Sequence, residues 1–162
     1  MGIFSSMNAA AGSGAAAFNR SRWAPVLQSL DIKFATDDDG DHFGDWDGVR
    51  VWFECRGNDE EVLVARAIWD IRPPLDAYEQ VALATNLWNS EHMWPRVYVY
   101  RGDSECLVMA DLVIDCETGA SDDFVRQQVR CLLSTAFELV EYLPTVLPES
   151  ASWHNVDPEA GS

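Results

Sequence analysis

The sequence predicts an α+β domain in which helices cover one face of an antiparallel β-sheet of about five strands. Residues 49–56 and 62–71 each place apolar side chains on one side, with the period of two that marks a half-buried strand. Short turns join successive strands, which implies antiparallel pairing. Stretches with helical spacing lie before, between and after the strands. The predicted order is α-β-β-β-α-β-β-α.

The first part of this order contains a helix, a short strand and an acidic loop. Apolar residues recur at helical spacing over residues 19–30, and Ser21 is the candidate N-cap. A short strand over residues 31–36 leads into the loop from Asp37 to Asp47. Six aspartates lie in this loop without any Lys or Arg, so we expect a solvated, strongly negative connection.

The second part contains a helix, a hairpin and a long closing helix. Helical spacing runs from Leu75 to Trp88. Residues 96–101 and 105–115 are predicted strands, joined by a short turn that contains glycine. Ser121 is expected to cap the last helix, and Pro144 is expected to end it.

The domain organisation follows from composition at the two ends. Residues 1–18 are rich in Ala, Gly and Ser and predict a flexible leader. Residues 19–147 form the single predicted domain, and residues 148–162 predict a flexible acidic tail. The segment 12–17 fits the loose dinucleotide pattern GxGxxA, but no strand pattern precedes it. The sequence therefore predicts no cofactor.

The charge balance excludes several classes of partner. The 162 residues carry a net charge of −16, from 11 basic and 27 acidic side chains. Such a field repels the phosphates of nucleic acids and of anionic membranes, so neither is an expected partner. A basic protein segment suits this charge. Four widely spread cysteines, without zinc-ligand spacing, indicate reduced thiols in a cytoplasmic protein.

Catalytic and metal-binding patterns are weak, so the expected role is non-enzymatic. The three histidines lie far apart, and no nucleophile or phosphate-binding motif occurs. The acidic loop fails the EF-hand pattern, because Ala35 and Trp46 would occupy ligand positions. A looser cation site at Asp37, Asp39 and Asp41 remains an alternative to a solvated hairpin turn.

The junction between the middle helix and the following strand has an unusual composition. It contains Asn86, Trp88, Asn89, Trp94 and Pro95. We expect Asn89 to tie down carbonyl groups near the helix end, and Pro95 to place the preceding residue in an extended conformation. The two tryptophans would bracket the turn and cover the edge of the core. The alternative is a direct role in binding a partner.

These residues resemble the signature of the YbjN-type domain, described as a bacterial sensory transduction regulator. The resemblance extends over roughly residues 22–143 and includes the acidic turn and the closing helix. It implies a fold like that of type III secretion chaperones, which is commonly dimeric and binds protein segments. It implies no catalytic residues.

Two functions follow from these observations. The first is a homodimeric protein-binding adaptor or chaperone-like regulator of a bacterial cell. Its candidate contacts are Arg50, Trp52, Glu54 and Arg56, the mixed side of one strand; alternatively, the first helix covers that side. The second is a ligand- or ion-sensing domain that uses the Asp37–Asp47 loop or a Trp-lined pocket.

Overall fold

The computed structural model describes residues 15–46 and 48–156, and its centre is a six-stranded antiparallel sheet. The strands of the sheet follow the order β1-β2-β3-β4-β7-β6, and β5 pairs separately with β8. The strands are β1 (Ala35–Thr36), β2 (His42–Trp46), β3 (Val49–Arg56), β4 (Val62–Trp69), β5 (Ile71–Arg72), β6 (Arg96–Arg101), β7 (Cys106–Asp115) and β8 (His154–Asn155). The predicted α+β class with an antiparallel sheet is confirmed.

Three α-helices pack on one face of the sheet, which we call the inner face. They are α1 (Trp23–Ser29), α2 (Tyr78–Glu91) and α3 (Asp122–Val146). Short 3-10 turns lead into α1 and α2. The long helix α3 lies across β3, β4 and β7, whereas α2 lies mainly along the edge strand β6. This arrangement leaves the opposite face of the sheet, the outer face, without a helix in the described chain.

The core forms between the helices and the inner face. β3 and β4 pair along eight residues, and the alternation predicted for both strands places their apolar sides inward. Trp23 of α1 lies 5.3 Å from Phe53 of β3 between ring centroids, and Trp88 of α2 lies 5.3 Å from Tyr142 of α3. Both tryptophans are fully buried, so each helix is anchored by a large aromatic contact.

The predicted acidic loop is in part a strand. Residues 42–46 form β2, which pairs with β3 from His42↔Phe53 to Trp46↔Val49. Their sequence lacks β-branched residues and contains a glycine, so local pattern does not reveal the strand. The backbone of β3 supplies the hydrogen bonds that local propensity does not. Only residues 37–41 make the turn, and Asp47 lies outside the described residues.

The folded region extends beyond both predicted boundaries. Phe18 is 2% exposed and packs edge-on against Trp23. The predicted leader of residues 1–18 therefore includes a residue that belongs to the core. At the other end, Trp153 packs near Trp69, and Ser150 is buried. The first part of the predicted tail is therefore folded. Residues 1–14 and 157–162, where the leader and tail predictions otherwise fall, lie outside the described residues.

Helix ends also differ from the sequence pattern. Asn19, rather than Ser21, caps the first turn, because its side chain accepts the N–H of Ser21. Ser121 caps α3 as predicted, through the N–H of Phe124. Pro144 does not end α3, which continues to Val146. Proline removes one donor from the last turn, but burial of Leu143 and Leu147 on either side keeps the chain helical.

Candidate functional site

Trp88 fills the junction between α2 and β6. Its ring is fully buried, and its Nε1 donates to the carbonyl oxygen of Pro95 at 3.3 Å. His92 stacks on the same ring at 3.7 Å, with 5° between the planes. The imidazole of His92 thus covers one side of Trp88. These contacts join the end of α2 to the start of β6.

Asn89 closes the free edge of the sheet. Its side-chain Nδ2 donates to the carbonyl oxygen of Val97 at 2.7 Å, and its Oδ1 accepts the N–H of Val97 at 2.9 Å. The amide therefore satisfies both backbone groups that β6 turns away from β7, as a neighbouring strand would. The sequence predicts that Asn89 ties down carbonyl groups at the end of α2. Its side chain bonds Val97 of β6 instead, and His92 is the C-cap of the helix.

Asn86 and Trp94 do not share this anchoring role. Asn86 is exposed on α2, and Trp94 is 50% exposed. Pro95 is buried and follows a cis peptide bond. Trp94 and the 80% exposed Met93 line a hollow of about 380 Å³ that reaches Val113. The expectation that Trp94 covers the core edge is wrong, because the chain turns its ring toward solvent.

The outer face carries charged and aromatic side chains in alternation. The strand register identifies the residues of the outer face, which lie opposite one another on paired strands and do not belong to the core cluster. They are Ala35, Phe43, Asp45, Arg50, Trp52, Glu54, Arg56, Val62, Val64, Arg66, Ile68, Arg96, Tyr98, Tyr100, Leu107, Met109, Asp111, Val113 and Asp115. The alternative that the first helix covers this side is wrong, since α1 packs inward through Trp23.

A chain of ion pairs crosses four strands of the outer face. Glu54 pairs with Arg56, and its other oxygen lies 3.4 Å from Nη1 of Arg66. Arg66 reaches Asp111 at 4.0 Å, and Asp111 accepts two bonds of 3.0 Å from Arg96. The bonds that Arg96 donates to Asp111 raise the pKa of Arg96, so its guanidinium stays charged.

Both carboxylates of the ion-pair network, those of Glu54 and Asp111, are buried. Side-chain exposure is 7% for Glu54 and 3% for Asp111. Glu54 is therefore not the exposed contact that the sequence predicts. Tyr98 donates to Asp111 at 3.3 Å, and burial raises the pKa of this phenol, so it remains a donor. The network pairs three arginines with two buried carboxylates, so each of its charged groups has an opposite partner and the whole forms a frame for contacts.

An aromatic pair forms one corner of the outer face. Phe43 and Trp52 lie 4.7 Å apart between centroids, on paired positions of β2 and β3. Arg50 lies over the Phe43 ring at 5.3 Å and makes two bonds to Asp45, of 2.6 and 3.0 Å. These bonds raise the pKa of Arg50. The corner presents half-buried aromatic and guanidinium groups together.

A recess of about 250 Å³ opens beside this corner. Its lining combines outer-face residues with the chain that follows β4 and with the segment after β8, namely Asp45, Arg50, Trp52, Ile68, Asp70, Arg72 and Val156. Burial raises the pKa of Asp70 despite the nearby guanidinium of Arg72. Burial also lowers the pKa of Arg72.

Two carboxylates of the acidic turn, those of Asp37 and Asp41, make contacts within the protein. Oδ1 of Asp37 accepts the N–H groups of Asp39 and Asp41, at 3.0 and 2.9 Å. Asp41 lies 3.3 Å from Nη1 of Arg20, which also bonds the carbonyl oxygen of Asp39. Residues 15–46 and 48–156 contain no group of three or more His, Cys, Asp or Glu placed to hold a metal ion.

Three of the four thiols lie in surroundings that disfavour the nucleophilic thiolate. Cys55, Cys106 and Cys116 are buried. Burial raises the pKa of Cys55 to about 12, and it also raises the pKa values of Cys106 and Cys116. A protonated thiol is a poor nucleophile at neutral pH.

Sequence reasoning found one strand of the outer face but missed its neighbours. Arg66, Arg96, Tyr98 and Asp111 complete the surface and come from three further strands. Alternation within each strand indicates which side they take. Their assembly depends on strand order, and the β4–β7 pairing joins segments more than 40 residues apart, a choice that local pattern does not make.

Comparison with known proteins identifies the family. Residues 18–144 match the family model of YbjN, "Putative bacterial sensory transduction regulator". The chain belongs to the YbjN family. The matched region begins at the buried Phe18 and includes the outer face and the Trp88–Asn89 junction. A search of curated proteins finds no match.

A solved structure shares the fold of this YbjN-family chain. It is the "Crystal structure of YbjN, a putative transcription regulator from E. coli", at 14% sequence identity and a TM-score of 0.66. The similarity covers 88% of this chain and 99% of that one. No helix in the described ranges has the length and apolar character needed to cross a membrane.

Proposed function

We propose that this YbjN-family protein is a non-enzymatic regulator that binds a protein partner through the outer face of its sheet. The observation that carries the proposal is a broad sheet face that no described helix covers. It presents Trp52, Tyr98 and four arginines in a frame held by ion pairs. Trp, Tyr and Arg are the residue types that dominate the energetics of protein interfaces.

The charge of the molecule favours a basic partner segment. The chain carries −16, so its long-range field attracts cationic segments and repels phosphate backbones. Arg50, Arg66 and Arg96 of the outer face already pair with carboxylates. The related E. coli protein is called a transcription regulator. For this chain we place the regulatory contact on a protein rather than on DNA, and its four free thiols suit the bacterial cytoplasm.

Docking across the face is favoured over addition of a strand at an edge. At one edge, Asn89 occupies the backbone groups of Val97, and α2 lies alongside β6. At the other edge, β1 has only two residues. Neither edge offers a long row of free backbone groups to an extended peptide. The outer face is also favoured over the acidic turn, because Asp37 and Asp41 of that turn already bond within the protein.

A homodimer is part of the proposal, and α2 supplies its contact. Leu83 and Leu87 lie one turn apart on this helix and are 71% and 41% exposed. An apolar pair on one helix suits a two-fold contact, in which the same stripe of both copies meets itself. This contact leaves the outer face open to the partner.

The outer-face contact is tested by capture of the partner with matched variants. Val113 is 52% exposed on the outer face, and Phe124 is 41% exposed on α3. The partner is purified with the wild-type protein from a lysate of the source bacterium. Binding is then measured for Val113→Lys and Phe124→Lys. We expect loss of binding in Val113→Lys and retention in Phe124→Lys. Equal binding by both variants, or recovery of no stoichiometric protein, would contradict the proposal.

Sedimentation velocity tests the homodimer. Leu83→Glu places a charge in the proposed helix contact, and Phe124→Glu makes a comparable change on another helix. We expect wild type and Phe124→Glu to sediment as dimers at about 10–100 μM, and Leu83→Glu to sediment as a monomer. A wild-type monomer throughout this range would exclude the dimer, and a dimeric Leu83→Glu would exclude this contact.

A further inference from the structure

The recess beside Trp52 contains a buried carboxylate that accepts no hydrogen bond from the residues that the structure describes. Asp70 is 7% exposed and follows β4 directly, where it lines the recess. Its backbone groups are used, since its N–H bonds Gly48 and its carbonyl oxygen accepts from Val156, both at 3.0 Å. No hydrogen bond to its side chain comes from residues 15–46 or 48–156. A buried carboxylate ordinarily has such partners.

The two guanidinium groups of the recess are already engaged. Arg50 directs two bonds to Asp45. Arg72 donates to the carbonyl oxygen of Trp69, and its Nε lies 3.8 Å from a carboxylate oxygen of Glu105. Asp70 is consequently the acceptor of the recess whose hydrogen-bonding capacity is unused within the described chain.

The chemistry of the recess selects a cation. A free carboxylate oxygen accepts charge-assisted bonds from guanidinium or ammonium groups. The indole of Trp52 forms another part of the wall, and aromatic faces attract cations. The recess is lined by two carboxylates and two arginines, but the arginines are engaged by Asp45 and Glu105, and the protein carries −16, so an anion is disfavoured.

We propose that the Asp70 recess receives the guanidinium or ammonium group of a basic side chain from a protein segment bound on the outer face. This inference rests on the proposed function, because the segment that carries the side chain is the partner. The recess opens where Trp52 and Ile68 lie beside Val156, at one corner of that face. Its volume of about 250 Å³ suits the end of one side chain rather than a whole metabolite.

Binding of small probes tests the chemistry of the recess directly. The probes are N-acetyl-arginine amide and N-acetyl-citrulline amide, which have similar shapes but differ in charge. Affinity is read from NMR shifts of the Trp52 indole and of residues 68–72, in wild type, Asp70→Asn and Asp103→Asn. Asp103 is an exposed aspartate in the β6–β7 turn and controls for the change in net charge.

The expected result is binding of the arginine probe to wild type and to Asp103→Asn. Binding of the citrulline probe, and binding of the arginine probe to Asp70→Asn, should each be at least about tenfold weaker. Equal affinities for the two probes, or unchanged affinity in Asp70→Asn, would overturn the inference. Ethylguanidinium is the third probe, and tighter binding of this ion than of the arginine probe would identify a free small cation as the ligand and overturn the assignment to a protein segment.

The captured partner separates this inference from the proposed function. Asp70 and Val113 lie in different parts of the outer surface, since Val113 does not line the recess. Loss of partner binding in both Asp70→Asn and Val113→Lys supports both statements. Loss of partner binding in Val113→Lys alone contradicts the binding of a basic side chain in the Asp70 recess but agrees with the proposed function. Retention in both variants rejects the two together.

Discussion

At the scale of single residues, Asn89 solves a problem of the sheet edge. An edge strand leaves backbone groups that seek partners, and unprotected edges promote aggregation. The amide of Asn89 donates to and accepts from Val97 at once, so one side chain replaces a strand at that position. Aspartate has no donor and leucine has neither group, so the amide is the chemistry that the site requires.

Asn89→Ala is therefore expected to destabilise the protein. Two hydrogen bonds are lost and the N–H and C=O of Val97 lose their partner, at a cost of about 1–3 kcal/mol. Thermal unfolding followed by circular dichroism should show a melting temperature lower by about 2–10 °C. Asn86→Ala, an identical change one turn earlier on the exposed side of α2, is the control and should leave it unchanged. Equal melting temperatures for the two variants would refute the role of Asn89.

Asp70 shows the opposite situation, a residue whose present environment costs stability. Burial raises its pKa in the folded protein, while Arg72 and Arg50 act to lower it and Asp45 acts to raise it. A carboxyl whose folded pKa lies above its unfolded pKa binds its proton more tightly in the folded state. Its contribution to stability is present at low pH and is lost as the pH rises through the folded value.

Asp70→Asn should raise the melting temperature at neutral pH. The amide removes the buried charge that wild type carries above the folded pKa of Asp70. As the pH falls below that pKa, wild type becomes neutral at this position and the difference between the two proteins should shrink toward zero. Scanning calorimetry at a series of pH values measures both curves. A variant that is less stable than wild type at neutral pH would show that Asp70 is paired.

At the scale of elements, the ion-pair network joins the β3–β4 pair to the β6–β7 pair, which the chain order does not place side by side. Arg66 of β4 stands between Glu54 of β3 and Asp111 of β7, and Arg96 of β6 completes the row. Each carboxylate is buried, so removal of its partners leaves charge in a poorly solvated place. The network therefore resists sliding of one strand past another, which preserves the surface that we assign to the partner.

Arg66→Met tests the centre of this row. Glu54 and Asp111 keep one arginine each, so we expect a loss of about 1–3 kcal/mol, less than for complete removal of a buried pair. Urea unfolding measures this free energy. Arg130→Met, at an exposed position of α3, is the matched control and should change it little. If the two substitutions had equal effects, the network would contribute nothing to stability.

At the scale of the whole molecule, the net negative charge and the balanced outer face have different effects on binding. The outer face holds four arginines against four carboxylates, whereas the chain as a whole carries −16. The negative charge thus lies mainly elsewhere and produces self-repulsion in the folded state. The same field steers basic segments toward the protein, while the outer face offers close contacts without strong repulsion of its own.

Salt should therefore stabilise the folded protein. Raising the ionic strength from about 10 mM to about 1 M shortens the screening length from about 30 Å to about 3 Å and weakens the self-repulsion. Surface ion pairs lose strength as well, but each contributes little. We expect the melting temperature to rise with sodium chloride and equally with potassium chloride. A fall with salt would mean that ion pairs outweigh the net charge.

The sequence by itself determined which of the main segments are strands and which are helices. β3, β4, β6 and β7 follow from alternation and turns, and α3 follows from its apolar stripe and the Ser121 cap, because side-chain periodicity and capping are local properties. The signature that ends at Pro95 was also sufficient to indicate the family that residues 18–144 match.

Tertiary structure alone decided the rest, because it depends on contacts between distant segments. β2 exists because β3 offers it a partner, and the segment after Pro148 folds because Trp153 finds Trp69. Trp94 is exposed and Trp88 is buried, although both are tryptophans of one junction. The outer face and the Asp70 recess arise from strand order, which brings together residues that no local pattern relates.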